Sequence, residues 1–287
     1  MISPLAGLAC KAFLERQPPQ RQKRLASFLP KVEQVQMEAI QFAHSDWIDF
    51  SFRLDEALDT VHPSWIIPQL QACTSLELGC FLASLHSNQA KSIKSFLHYL
   101  RPLPMLTSLG KTYLRTDLLT KISGIENIIP LRALPASRFN PLASFAFRDL
   151  VRLGFLLGLK DLGHYLRQVI DKAKIKSIEQ ALSAEEWQTV QQLSLKKDPL
   201  VAGRQGFSTW DGRPEKLRML VEQRGINRLA KALFGEHPSL LWYVTHIFDV
   251  PRASFFETVC TENPSEATRD LVQEQVLEAV TSFLGRG

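Results

Sequence analysis

His62-Pro63-Ser64-Trp65-Ile66-Ile67-Pro68-Gln69-Leu70-Gln71-Ala72-Cys73-Thr74-Ser75-Leu76-Glu77-Leu78-Gly79-Cys80-Phe81-Leu82-Ala83-Ser84-Leu85 reads as two helices and the turn between them. Pro63 holds φ near the helical value and lacks only an N–H that a first turn leaves unpaired. His62, or the residue before it, is therefore placed to cap a helix that opens at Pro63. Pro68 falls inside this helix, removes one of its hydrogen bonds and predicts a kink. Thr74-Ser75-Leu76-Glu77 is a capping box, in which hydroxyl and carboxylate each satisfy a backbone N–H at the helix start. Leu78, Phe81, Leu82 and Leu85 then stand at i, i+3, i+4 and i+7, a single apolar stripe.

The unit recurs. His237-Pro238-Ser239-Leu240-Leu241-Trp242 repeats the opening, and Asp249 stands twelve residues after His237 as Thr74 stands twelve after His62. Leu240, Leu241, Val244, Ile247 and Phe248 form its first stripe, and Phe255, Phe256 and Val259 its second. One helix pair buries too little apolar surface to stand alone, so units of this kind stack. The expected fold is all-α: stacked helix pairs in a right-handed, armadillo-like array, with a few short extended segments around Ile125 to Leu134.

The rest of the chain carries the same periodicity. Ala90, Ile93, Leu97 and Leu100 form a stripe capped by Ser87 or Asn88 and stopped by Arg101-Pro102-Leu103-Pro104. Leu162, Tyr165, Leu166, Val169 and Ile170 form another. Ser183-Ala184-Glu185-Glu186 is a second capping box, ahead of Trp187 and Val190. The last helix has Asn263 as its cap, Pro264 in its first turn, Val272, Val276, Val280, Phe283 and Leu284 on its face, and Gly285 at its end. Sustained alternation of apolar and polar residues is missing, as is an Asn-Gly hairpin turn. Breakers fall at Gln17-Pro18-Pro19-Gln20, at Pro130, Pro135 and Pro141, and along Lys197 to Pro214, which reads as a long loop. They divide the chain into an N-terminal helical region (1–60), a first repeat domain (61–140), a middle helical segment (141–200) and a C-terminal repeat domain (201–287).

A chain of 287 residues, 45% hydrophobic and 22% charged, has room for two domains or one elongated array and is too apolar to be disordered. Its most apolar run, Leu153 to Leu159, lies between Arg152 and Lys160 and is too short to span a bilayer. At the N-terminus the basic residues follow the apolar stretch, the reverse of a secretory signal, so a cytoplasmic location is expected. Cys10, Cys73, Cys80 and Cys260 are scattered and read as buried or incidental thiols. The net charge is +5. Basic residues concentrate at Lys11, Arg16, Arg21, Lys23, Arg24 and Lys31, and again at Lys160, Arg167, Lys172, Lys174 and Lys176. Such stretches meet nucleic acid, acidic lipid or an acidic protein, or form a solvated helix face.

Signatures of chemistry are missing. The sequence has no Gly-x-x-x-x-Gly-Lys-Ser/Thr loop, no Gly-x-Gly-x-x-Gly and no Gly-x-Ser-x-Gly. The seven histidines stand at no zinc-finger spacing. No catalytic residue, metal or cofactor is expected, and the chain reads as a non-enzyme. Asp46, Asp49, Asp55, Glu56 and Asp59 cluster, and Asp55, Glu56 and Asp59 within one turn offer an acidic patch to a partner. Trp210, in the turn Trp210-Asp211-Gly212-Arg213-Pro214, is either a core residue or a partner anchor. Trp242 and Tyr243 point in different directions, so one of them is expected at the surface, with Trp242 a second candidate contact.

The two His-Pro-Ser units resemble the helical repeats of the flagellar switch protein FliG, where a His-Pro opens a helix that packs against the next. The segment between the units matches nothing in FliG, and no charged torque helix is legible. The resemblance therefore points to the related SctK-type sorting-platform proteins of type III secretion. It implies a FliG-like helical array defined by His62, Pro63, Ser64, Thr74, Glu77, His237, Pro238, Ser239 and Asp249. It further implies a non-enzymatic cytoplasmic adaptor that joins an inner-membrane ring protein (SctD-type) to a pod protein (SctQ-type), with an SctL-type protein as a further partner. A nucleic-acid-binding helical repeat protein and an all-helical enzyme without a short signature are the alternatives.

Overall fold

The computed structural model describes residues 11, 14, 17–39, 56–123, 128–195, 206–261 and 265–284, with the side chains of 36–39, 132 and 284 excepted. Among the described residues the protein is all-α, with fourteen α-helices, two short 3-10 helices and no strand. The helices are α1 (Pro19–Ala26), α2 (Lys31–Ala39), α3 (Ala57–Thr60), α4 (Pro63–Leu70), α5 (Ser75–Ser84), α6 (Ser87–Phe96), α7 (Ser108–Ser123), α8 (Phe147–Leu166), α9 (Lys172–Ala181), α10 (Ala184–Leu195), α11 (Pro214–Ala232), α12 (Pro238–Ile247), α13 (Val250–Cys260) and α14 (Glu266–Leu284). None is long and apolar enough to cross a membrane. The 3-10 helix Leu131–Ala133 stands where an extended piece was expected, and 124–127 lie outside the described residues.

The chain forms two compact units where four segments were expected. One comprises 1–59 and 67–135, the other 60–66 and 136–287, so the division runs through α4. Segments 141–200 and 201–287 share one core because the stripes of α8 and α11 face each other.

In the first unit α5 packs on α6 and α7. Its buried side chains include Leu58, Leu70, Phe81, Leu82, Ile93, Leu118 and Leu119. The expected capping box is formed: the Thr74 N–H donates to Glu77 Oε2 at 2.8 Å, and Glu77 N–H donates to Thr74 Oγ1 at 3.4 Å. Gln89 Nε2 donates to the Leu58 carbonyl at 2.8 Å and ties α6 to α3. The cap of α6 differs from expectation. His86 is the N-cap, Ser87 is already helical, and no side chain caps the helix.

In the second unit the long helices α8 and α11 make the principal crossing, and α9, α10, α13 and α14 pack around them. Glycines set the closeness of this crossing. A Cβ on Gly158 would lie 1.8 Å from the Val221 carbonyl oxygen, and one on Gly225 would lie 1.5 Å from the Gly154 carbonyl oxygen. The apolar run Leu153 to Leu159 is thus a packing surface with Gly154 and Gly158 one turn apart. Leu159, Leu162, Ile178, Val190, Leu217 and Val221 make a core cluster that also takes Phe207 and Trp210. A buried ion pair links three helices: Asp161 of α8 accepts from Arg228 Nε of α11 at 2.8 Å, and Arg228 also donates to Gln275 Oε1 of α14.

Two stripes end earlier than their periodicity predicts. Helix α8 stops at Leu166, and Ile170 is exposed. Helix α6 stops at Phe96, and Leu100 is exposed. Helix α4 runs through Pro68. Residues 196–205, within the expected long loop, and Asn263, Pro264 and Gly285 lie outside the described residues.

Candidate functional site

The repeat-defining residues make matched local caps. His237 Nδ1 accepts from the Ser239 N–H at 3.1 Å, and His62 Nδ1 accepts from the Ser64 N–H at 3.2 Å. In both, Nδ1 acts as acceptor, so the proton of the neutral ring sits on Nε2. Pro63 and Pro238 each take the first helical position. Asp249 caps α13 through the Arg252 N–H at 3.1 Å, the counterpart of Thr74 at α5.

The second unit also brings the start of the first copy onto the end of the second. The His62 N–H donates to the His246 carbonyl at 2.8 Å, and Trp65 Nε1 donates to the Phe248 carbonyl at 2.9 Å. The Val250 N–H donates to Ser64 Oγ at 3.2 Å. Orphan carbonyls at the end of α12 and an orphan N–H at the start of α13 are thereby satisfied by one short segment. The His246 ring lies 4.1 Å from Trp242 and 4.3 Å from Trp65, centroid to centroid. Its Nδ1–H donates to the Trp242 carbonyl at 2.8 Å. Burial pulls the His246 pKa from 6.5 down to about 4, opposed by that hydrogen bond. Burial likewise lowers His62, with Asp249 opposing and Arg252 assisting. This joint is structural, since its polar groups are answered within it.

The expected partner contacts fare differently. Asp55 lies outside the described residues, as do Asp46 and Asp49. Glu56 is exposed, while Asp59 pairs with Arg115 at 2.9 Å. Trp210 is a core residue, with Nε1 donating to the Arg213 carbonyl at 2.8 Å. Trp242 and Tyr243 are both buried, so neither is the surface residue expected of the pair. Adjacent positions both reach the interior because α12 is enclosed on several sides, by α13, by the 3-10 helix Asn140–Ser144 and by Trp65. In the second basic stretch, Lys160 pairs with Glu278 and Lys174 donates to the Ser208 carbonyl.

A groove of about 470 Å³ lies between α11 and α13, floored by Met219, Ile226 and Phe255. Of the charges that line it, Arg218 pairs with Glu186, and Arg252 with Glu222 and Asp249. Among the described residues no group of three or more His, Cys, Asp or Glu is placed to hold a metal ion.

Among the described residues, α6, α7 and the loop between them expose several large apolar side chains, which sequence reading missed. Phe96, Leu100, Met105, Leu109 and Tyr113 are 60%, 92%, 101%, 73% and 71% exposed. Leu109 and Tyr113 stand one turn apart on α7, opposite the buried Leu118 and Leu119. The loop before α7 is tethered. Helix α6 ends in a Schellman motif: the Tyr99 N–H donates to the Lys94 carbonyl at 3.0 Å and the His98 N–H to the Ser95 carbonyl at 3.3 Å. His98 holds the left-handed conformation, φ 51°, that glycine usually takes there. Buried Tyr99 then places its hydroxyl against Gly79, where an added Cβ would come within 2.4 Å, and Pro104 meets the same glycine. Leu100 and Leu103 lie between these two anchors and point to solvent. Exposed large apolar side chains mark an interaction site where they form one contiguous patch.

No family model matches the chain, and no curated protein or solved structure shows significant similarity to it.

Proposed function

We propose that the protein is a non-enzymatic adaptor that joins other proteins in an assembly, and that the assembly is the cytoplasmic sorting platform of a type III secretion apparatus. The exposed apolar surface of Phe96, Leu100, Leu103, Met105, Leu109 and Tyr113 carries the adaptor reading. A helical unit that spends this much apolar side chain on solvent gains only when another surface covers it. The paired His-Pro-Ser caps support the narrower reading through their resemblance to FliG-like repeats. On this reading the chain sits in the cytoplasm, held near the inner membrane by an SctD-type ring protein, and presents SctQ-type and SctL-type proteins to it. Affinity isolation of the tagged chain from cells that assemble such an apparatus tests the proposal. Ring and pod components are expected to come with it, and to be lost with Leu100→Ser/Met105→Ser. Recovery of none of them overturns the secretion reading, and an unchanged set of partners in the double variant overturns the role of this surface.

A further inference from the structure

Residues 60–66 belong to the second unit, whereas the chain on either side of them, 1–59 and 67–135, belongs to the first. They form a short strap, and α4 leaves the second unit after Ile66. The hold of the strap includes the His62 N–H on the His246 carbonyl, the Trp65 indole N–H on the Phe248 carbonyl and the Val250 N–H on Ser64 Oγ. Trp65 lies against the His246 ring, and the His62 ring meets Phe147 at 4.5 Å between centroids.

Both histidines stand where a second proton breaks a contact. His62 Nδ1 accepts from the Ser64 N–H at 3.2 Å and lies 2.9 Å from Ser64 Oγ, so the hydroxyl donates to it as well. One chain of donors thus runs from the Val250 N–H through the Ser64 hydroxyl to His62 Nδ1. A protonated Nδ1 accepts nothing: the cap on the Ser64 N–H is lost and the hydroxyl must turn away. The new charge also falls at the start of α4, where the helix dipole repels a cation. His246 gives its one N–H to the Trp242 carbonyl, and among the described residues its Nε2 makes no hydrogen bond. A proton on Nε2 finds no acceptor between the two indoles.

Burial lowers the pKa of both rings, His246 to about 4. Asp249 opposes the shift at His62, but Arg252 holds that carboxylate and adds to the shift, and Glu222 in turn holds Arg252. Among the described residues no charged group acts on His246, and the 3-10 helix Asn140–Ser144 packed on α12 carries none. The strap is therefore fully held above pH 6.5 and loses its hold as the pH falls.

We propose that residues 60–66 form an acid-released strap: mild acid charges His62 and His246, the strap lifts off as one piece, and the turn between α12 and α13 is uncovered together with the indoles of Trp65 and Trp242. The short strap exposes little surface when it leaves, so its opening precedes the unfolding of the α8–α11 core.

The test is hydrogen exchange of the full chain, read by mass spectrometry on peptides covering 60–66 and 246–252. It is run at about pH 7.5 and about pH 5, either side of the ordinary histidine value, with and without low urea. Rates are expressed as protection factors, which divides out the chemistry of exchange. Protection of both peptides is expected to fall on the order of tenfold at the lower pH, with no dependence on urea, while peptides of α8 and α11 exchange with the steep urea dependence of global unfolding. His62→Asn/His246→Phe should hold the strap on at the lower pH. Asn keeps an acceptor for the Ser64 N–H and gains no proton, and Phe keeps a ring between the indoles. Exchange of the strap and of α8 and α11 with one shared urea dependence at both pH values would overturn the proposal, because the strap would then open only with the whole fold. An equal loss of protection in the double variant would overturn it too, because the histidines would not be the trigger. The urea dependence of the unsubstituted chain decides the first point whether or not the double variant folds, and His62→Asn alone, expected to keep more protection at the lower pH, carries the second.

Discussion

His246 lies between the indoles of Trp65 and Trp242 with its one ring N–H given to the Trp242 carbonyl. Nothing at this place welcomes a second proton. The unfolded chain takes that proton near pH 6.5 and the folded chain only near 4. The unfolded state therefore binds more protons between these values. Stability is fully present above pH 6.5, falls as the pH drops toward about 4, and loses about 3 kcal/mol over that window. The lowered pKa of His62 acts in the same direction. Urea denaturation across this range checks the expectation: His246→Phe should flatten the acid limb, and an unchanged slope in that variant would count against it. The caps around this histidine were legible in sequence because each spans only two or three residues. Trp242, one turn before it on α12, was within reach of that reading; Trp65 was not, because it lies far from His246 along the chain.

Three glycines line the crossing of α8 and α11, and two of them set its closeness. Gly158 and Gly225 press against backbone oxygen atoms of the facing helix, which cannot swing aside. Gly154 has only ordinary contact with Ile226, at 3.6 Å. Gly158→Ala should push the helices apart and cost about 3 kcal/mol, at the upper end for overpacking. Gly154→Ala should be tolerated, gaining up to about 1 kcal/mol of helix propensity. Thermal melts of the two variants separate the cases, and equal losses would refute the assignment. The periodic stripes showed which faces are apolar. Which residues on them touch was beyond reach, since the spacing Gly154-x-x-x-Gly158 suits a close crossing without naming its partner. The end of α6 was hidden for a different reason: His98 takes a conformation normally left to glycine, so the stop carries no glycine to read.

At the scale of the molecule, the chain forms two compact units. The second is held by a buried charge network as well as by its core. Asp161 and Arg228 come from α8 and α11, and Gln275 from α14 joins them. Removing one partner strands the other in the interior, so Asp161→Ala should cost about 3–5 kcal/mol. Replacing both, as Asp161→Leu/Arg228→Met, should recover most of the loss, because an apolar pair leaves no charge to desolvate. Urea midpoints of the single and double variants decide it; a double variant as unstable as the single one would show that the network holds the three helices in ways an apolar pair cannot replace. The first unit carries the apolar surface, which is where the adaptor reading has its footing.

Helix content, most caps and the matching local form of the two His-Pro-Ser units were determined by sequence alone. The forces behind them act within about four residues: hydrogen bonds at a helix start, the fixed φ of proline, the period of an apolar stripe. The tertiary structure decided what those elements do to one another. It buried Trp210, Trp242 and Tyr243, set the first His-Pro-Ser segment onto the end of α12, and left Leu100, Met105, Leu109 and Tyr113 in solvent. Burial depends on which surfaces meet, and residues far apart in sequence settle that together. An apolar stripe therefore states that a face seeks cover, and only the packed chain shows whether the protein supplies the cover itself or leaves it to a partner.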